Sequence, residues 1–286
     1  MNLLKRTTAL LGLLTMGFVG HVSAETAQEK GYQIVKAIDA MPVVEKSITE
    51  NRFEIYDNQG KLVFTKKFRA ANLVLNYKDP SNRLNRGISY FYAPADDKGN
   101  AALQIEKKGA EEDDQWIYLK GLRKPKRVLG SDKSSSFMGS DFSNGDLVRP
   151  DLDEATYTWL GTEVYSFRGK KLNLEKIEIQ FKSEQMREDY GTSKIVALVH
   201  GKSGLNFKND IYNMQGQLEK TMTMLSFKRV KNRDGKPVFM VTGLEMKSQL
   251  KGTKTLMKMG KITVGKRASK VKEGIFSLGK FTRRWW

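Results

Sequence analysis

Residues 134–147 read Ser134-Ser135-Ser136-Phe137-Met138-Gly139-Ser140-Asp141-Phe142-Ser143-Asn144-Gly145-Asp146-Leu147. Phe137, Met138 and Phe142 stand among small and turn-forming residues, with neither a helical nor a two-residue period. A solvated loop would leave three large apolar groups in water. A core strand would not carry Gly139, Gly145, Asp141 and Asp146 in its interior. What fits is a structured loop that lines or closes an apolar space, its Ser and Asp side chains satisfying the backbone through local turns.

Outward from that loop the chain is mostly alternating. Tyr32, Val35 and Ile38 fall at helical spacing within residues 28–40, and Met41-Pro42 ends that helix. Phe53 and Ile55 then share one face of a strand, followed by a turn at Asp57-Asn58-Gln59-Gly60. Leu62, Phe64 and Phe68 mark a second strand, Leu73, Leu75 and Tyr77 a third, Ile88, Tyr90 and Tyr92 a fourth. In the second half, Ile177, Ile179 and Phe181 alternate with Lys176, Glu178, Gln180 and Lys182, a strand with one buried face. Residues 195–199, 205–213, 218–230 and 237–247 read as further strands, with Asp234-Gly235 as a hairpin turn. The expected class is mainly β (α+β).

Residues 91–147 also resemble the outer-membrane lipoprotein-sorting protein family, the LolA-like periplasmic carriers. The resemblance rests on ordered pieces: Ala93-Pro94-Ala95-Asp96-Asp97-Lys98-Gly99 leading to Leu103, then Asp114-Gln115-Trp116-Ile117-Tyr118-Leu119, then Lys126-Arg127-Val128, then Ser136-Phe137-Met138-Gly139-Ser140-Asp141. Weaker echoes follow at residues 212–218 and 276–281. The chain departs from the family at Lys120-Gly121, where a proline is common, and residues 173–200 match nothing in it. The resemblance implies an incomplete antiparallel β-barrel, a strongly curved sheet around a few helices, with an apolar cavity on its concave side.

Residues 1–24 have the pattern of a secretory signal peptide: Lys5 and Arg6, an apolar run over residues 7–19, then Val22-Ser23-Ala24 at the cleavage positions. An uncleaved anchor is the other reading. The rest, residues 25–286, is expected to be a single domain in the periplasm of a Gram-negative bacterium. The chain has no Cys, and of its two His only His200 lies beyond the signal-like segment. Thiolate chemistry, a two-His metal site and a His-based triad are therefore hard to build. Ser134-Ser135-Ser136 has neither a nearby base nor a strand-to-helix elbow. Asp132, Asp141 and Asp146 read as backbone caps, and the acidic run 111–114 as a hairpin loop. No cofactor and no metal are expected.

Formal charge is +18, or +16 without Lys5 and Arg6; residues 247–284 hold twelve Lys/Arg against the single acid Glu273. That face either simply keeps a β surface soluble or draws the protein to anionic headgroups or an acidic partner. Lys124, Lys126, Arg127, Lys258, Lys261, Lys266 and Arg267 are the candidate headgroup or partner contacts. No nucleic-acid-binding motif is present. Candidate lipid-lining residues are Phe53, Phe64, Leu75, Tyr90, Tyr92, Trp116, Tyr118, Phe137, Met138 and Phe142, each of which also reads as ordinary core. Seven Met between residues 214 and 259 suit an adaptable apolar interior or a Met-rich core equally.

These features point to a non-enzymatic carrier that hides acyl chains of lipoproteins or another lipid and passes them toward the outer membrane. The resemblance adds an inner-membrane transporter of the resistance-nodulation-division class as donor, and an outer-membrane acceptor. The competing reading is a structural adaptor with a filled barrel that docks by its basic C-terminal face.

Overall fold

The computed structural model describes residues 25–107, 113–148 and 150–286. The signal-like segment 1–24 and the acids Glu111 and Glu112 lie outside the described residues. Thirteen strands make one antiparallel sheet: β1 (Lys46–Tyr56), β2 (Leu62–Leu75), β3 (Leu84–Ala93), β4 (Ala101–Ile105), β5 (Asp114–Tyr118), β6 (Pro125–Arg127), β7 (Ala155–Phe167), β8 (Lys170–Phe181), β9 (Lys194–His200), β10 (Leu205–Tyr212), β11 (Leu218–Lys231), β12 (Pro237–Ser248) and β13 (Lys254–Val264). Their spatial order is β6-β5-β4-β3-β2-β1-β13-β12-β11-β10-β9-β8-β7. Two meanders thus run outward from a central seam where the last strand pairs with the first. The sheet is not closed, and β6 and β7 are its edges.

This topology dictates what covers the sheet. The chain leaves one edge at Arg127 and must reach the opposite edge at Ala155, so residues 128–154 cross a whole face. That crossing contains the Phe137–Phe142 segment. Beside it lies helix α1 (Ala27–Asp39), whose first turn is capped by Thr26 Oγ1 accepting from the Glu29 amide at 3.1 Å. Tyr32, Ile34, Val35 and Ile38 pack on Tyr157, Ile177, Ala197 and Val199. Gly31 permits the contact, since a Cβ there would fall 2.4 Å from the Tyr157 carbonyl oxygen. Lys30 Nζ sits 3.2 Å from the Trp159 ring centroid, adding a cation–π contact. Following the registers from Tyr157 through Ile179, Ile195 and Ile211 to Met246, Thr255 and Ile55 shows that α1 and the crossing segment share one face. We call it the inner face.

The outer face of β2–β5 is covered as well. Ala268, Val271, Phe276 and Phe281, from the tail after β13, are 0–4% exposed and pack on Ala71, Ile88, Ala101 and Leu103. Double coverage explains why residues 62–75 form one strand where alternation predicts two, with Tyr77 in the turn that follows. Phe64 and Phe68 face inward and Leu73 and Leu75 outward, so the apolar phase changes without any break in the ladder. Helix α2 (Glu184–Tyr190) and strands β7 and β13 are further elements beyond the sequence reading.

Candidate functional site

The crossing segment is built as a hairpin on a strap. Ser136 and Ser143 form an antiparallel bridge, and the Phe137 amide donates to the Phe142 carbonyl at 2.7 Å. The Ser140 amide closes the turn on the Phe137 carbonyl at 3.0 Å, with Met138 at φ 52° and Gly139 at φ 73°. Positive φ at both central residues is what a type I′ turn requires; it suits Gly139 and is costly at Met138. Ser136 Oγ donates to the Ser140 carbonyl at 2.6 Å and Ser140 Oγ to the Phe137 carbonyl at 2.7 Å. The small polar residues thus satisfy the backbone of a buried turn.

That turn thrusts its aromatics against the inner sheet. Phe142 stacks on Phe53 with centroids 5.7 Å apart, and Phe137 meets Phe53 edge-on at 6.2 Å and Phe91 at 6.1 Å. Met138 joins the same buried cluster, with Phe68, Ile211 and Met246. Two acids tether the strap. Asp141 accepts from the hydroxyls of Thr253 and Thr255, the latter at 2.7 Å, and Asp146 accepts from Lys220 Nζ at 2.8 Å. Asp146 also caps the Ser143 amide at 2.7 Å, and Asp132 pairs with Lys126 at 2.7 Å.

Between strap and strands β1–β5 and β13 is a cavity of about 220 Å³. Phe53, Phe68, Phe137, Leu147, Met257 and Met259 form its apolar wall; Thr49, Asn51, Asn72, Ser89, Gln104, Gln115 and Asn144 form a polar one. Ligand pockets usually span roughly 300–1,000 Å³. With the strap seated, this interior is smaller than that range.

The structure gathers Phe53, Phe137, Met138 and Phe142 in the inner cluster. It places Tyr90, Trp116 and Tyr118 in the outer one, beneath the C-terminal tail, and sets Tyr92 and Tyr90 against the Trp286 ring. Leu75 is half-buried near the end of β2, opposite Leu84. Phe64 is 57% exposed, at the tip of the β1–β2 hairpin. The basic candidates are not one patch. Lys124, Lys126 and Arg127 lie at β6, Lys258 and Lys261 on β13, and Lys266 and Arg267 in the turn after it. Lys126, Arg127 and Lys258 are ion-paired with Asp132, Asp114 and Glu54. Burial opposes the charge of Glu54, yet hydrogen bonds from Lys258, Arg52 and Tyr56 outweigh it and hold the carboxyl below its ordinary value. His200 ends β9 with Nδ1 2.8 Å from Ser203 Oγ. No cluster of metal-ligating side chains occurs among the described residues.

Sequence reasoning missed Phe68 and Phe91 as inner-wall aromatics, and all of the cavity amides. One signal was available on β1, where Ser47, Thr49, Asn51, Phe53 and Ile55 share the inward phase, polar first and apolar after.

The registers also place the turns 57–61, 119–124, 213–217 and 249–253 at one end of the sheet. Exposed Leu62, Val63, Phe64, Leu122, Met214 and Leu250 stand there among exposed Lys61, Lys120, Arg123, Lys124 and Lys251. The strap hairpin sits beside this rim, since Thr253 and Thr255 hold Asp141.

A protein-family model described as "Uncharacterized protein" matches residues 84–283. No curated protein matches the chain. Among solved structures, a DUF1329 family protein from Desulfovibrio piger is 24% identical with a TM-score of 0.75, covering 88% of this chain and 98% of its own. A domain from Vibrio parahaemolyticus, described as an outer membrane lipoprotein-sorting protein, is 23% identical with a TM-score of 0.75, covering 90% of this chain and 100% of its own. A LolA superfamily protein from Nitrosomonas europaea is 16% identical with a TM-score of 0.59, covering 86% of this chain and 97% of its own.

Proposed function

The chain belongs to the family whose model matches residues 84–283 and has a LolA-like fold; on that footing we propose that it is a non-enzymatic periplasmic carrier of acylated cargo. The observation that carries this reading is the strap. The inner face of the sheet is filled by a hairpin tip from an irregular crossing segment, and such a segment can withdraw without breaking a strand. Three apolar side chains, Phe137, Met138 and Phe142, would lose their burial at about 1.5–3 kcal/mol each, or about 5–9 kcal/mol together. A sixteen-carbon chain hidden from water returns about 12 kcal/mol, at about 0.8 kcal/mol per CH₂. Releasing the Asp141 hydrogen bonds adds about 1.5–3 kcal/mol to the withdrawal, so the two sides nearly balance, and a near balance lets cargo load and then pass to a tighter acceptor.

In this reading residues 1–24 direct export and residues 25–286 act as one domain. The apolar rim, with its interleaved lysines, meets an anionic bilayer during loading and delivery. A transporter of the resistance-nodulation-division class as donor, and an outer-membrane acceptor, complete the route. One observation favours the adaptor reading: with the strap seated, the cavity is only about 220 Å³. Native mass spectrometry of the mature protein from a periplasmic extract, with lipid extraction alongside, separates the two. Acylated species at fixed stoichiometry support the carrier. A bare protein that also ignores added lipid supports the adaptor.

A further inference from the structure

On the outer face of the sheet the registers set three cations side by side. Arg52 on β1 pairs directly with Lys67 on β2 and with Lys258 on β13, in the phase opposite to inward-facing Phe53 and Phe68. Residues paired in this way have Cβ atoms about 4.5–5.5 Å apart, and like charges so placed repel one another. The same row continues through Gly243 on β12 to Ser226 on β11, so beside Lys258 the sheet surface is bare of a side chain. A fourth cation arrives from a distant element. Arg168 and Gly169 form the two-residue turn between β7 and β8, at φ 51° and 78°. Positive φ is costly for an arginine. Its guanidinium donates to the Leu225 carbonyl at 3.1 Å, at the bulge where β11 shifts register, and this contact brings the turn over the row.

Arg52, Lys67, Arg168 and Lys258 line one cleft of about 580 Å³, inside the roughly 300–1,000 Å³ range of ligand sites. Glu50 is the one acid among its lining residues, and it is ion-paired with Arg69 beside the cleft. Glu54, also beside it, accepts from Arg52 at 2.7 Å and from Lys258 at 2.6 Å. Arg69 and Glu54 cancel, so the four lining cations against Glu50 leave a net charge of +3. Lys67 and Arg168 are exposed, with no ion pair among the described residues. Tyr92, Ser226 and Thr242 add hydroxyls to the wall.

We infer that this cleft binds a dianionic phosphate group, free or as the phosphomonoester of a sugar or lipid head. Such a group carries about −1.5 to −2 charge near neutral pH and three strong acceptor oxygens. Lys67 and Lys258 supply point charges, and the forked donors of Arg52 and Arg168 suit phosphate oxygens. A phosphodiester brings only one charge to a site of net +3. The cleft lies on the face opposite the strap, so the inference stands apart from the carrier reading and does not depend on it.

The test is isothermal titration calorimetry of the mature protein at low salt with sn-glycerol 3-phosphate, inorganic phosphate, dihexanoyl phosphatidic acid and the diester sn-glycero-3-phosphoglycerol. The expected result is one site for glycerol 3-phosphate, bound at least about tenfold more tightly than the diester. Lys67→Gln and Arg168→Gln, at exposed positions, should each weaken it about tenfold, the loss of one charge-assisted hydrogen bond. Lys251→Gln removes the same charge at the rim and should leave the affinity within about twofold of wild type. Inorganic phosphate binding as well as glycerol 3-phosphate would support a free ion as the ligand. Tighter dihexanoyl phosphatidic acid, weakened by Lys67→Gln, would support a lipid head. Absence of saturable binding by every phosphate probe would overturn the site. So would equal affinity for the diester, or an equal loss from Lys251→Gln and Lys67→Gln.

Discussion

At the scale of single residues, Asp141 fixes the position of the strap. Its carboxylate is shared by two β13-side hydroxyls, and its own amide donates to Thr255 Oγ1 at 3.0 Å. Hydrogen bonds to a charged group contribute about 1.5–3 kcal/mol. Asp141→Ala should therefore lower stability by about that amount in urea unfolding. It should also raise uptake of an acyl probe, because less work is needed to withdraw the hairpin; reduced uptake in a folded variant would contradict the strap mechanism. Glu54 gives a pH-dependent counterpart. Its folded pKa lies below the ordinary value of 4.5, so its contribution is present above that value and is lost as pH falls through the folded pKa. The stability gap between wild type and Glu54→Gln, at most about 1 kcal/mol for a partly solvated pair, should be visible at neutral pH. It should close on acidification below 4.5, and thermal melts at stepped pH would show whether it does.

Among the elements, the C-terminal tail has a structural role that its charge hides. Phe281 and Val271 are 0% exposed against the outer face of β2–β5, and Arg69 lies 4.7 Å from the Trp286 ring centroid. Removing residues 265–286 would uncover a hydrophobic face and confound any test of charge. Phe281→Ala alone should cost about 3–5 kcal/mol of unfolding free energy, as for other buried Phe truncations. The joint change Lys266→Glu and Arg267→Glu, at exposed positions, should leave unfolding midpoints nearly unchanged and so isolates electrostatics. The same distinction applies to the strap: Phe142→Ala removes core as well as a candidate lining group, so its lipid uptake is interpretable only beside its stability.

For the whole molecule, the arrangement is polar from end to end. The hairpin tips form the rim described above. At the other end, where Asp113 precedes β5, burial pushes the Glu154 carboxyl up; the hydrogen bond from the Asp151 amide works against this, and the charges of Asp151 and Asp113 add to it. If the rim is what touches a bilayer, Leu122→Asp with Leu250→Asp should reduce co-sedimentation with anionic vesicles several-fold and hardly alter stability, since both side chains are exposed. Undiminished co-sedimentation would move the contact elsewhere on the basic surface.

The alternation of Phe53 with Ile55 and of Ile177 with Phe181, the proline after α1 and the aperiodic Phe137–Phe142 segment were legible locally. Period, turn chemistry and chain breakers act over a few residues, and they were enough to indicate a β-rich chain with a structured loop against an apolar space; the incomplete barrel was what the family resemblance implied. Which face each aromatic serves was not. Tyr90 and Phe91 are neighbours in sequence yet lie in clusters on opposite sides of the sheet. Both faces are covered, one by the strap and one by the tail, so apolar character alone carries no sign of direction. The cavity amides depend on distance even more: Asn51, Gln115 and Asn144 come from two strands and the strap, and only the register of the sheet and the crossing from β6 to β7 bring them around one space.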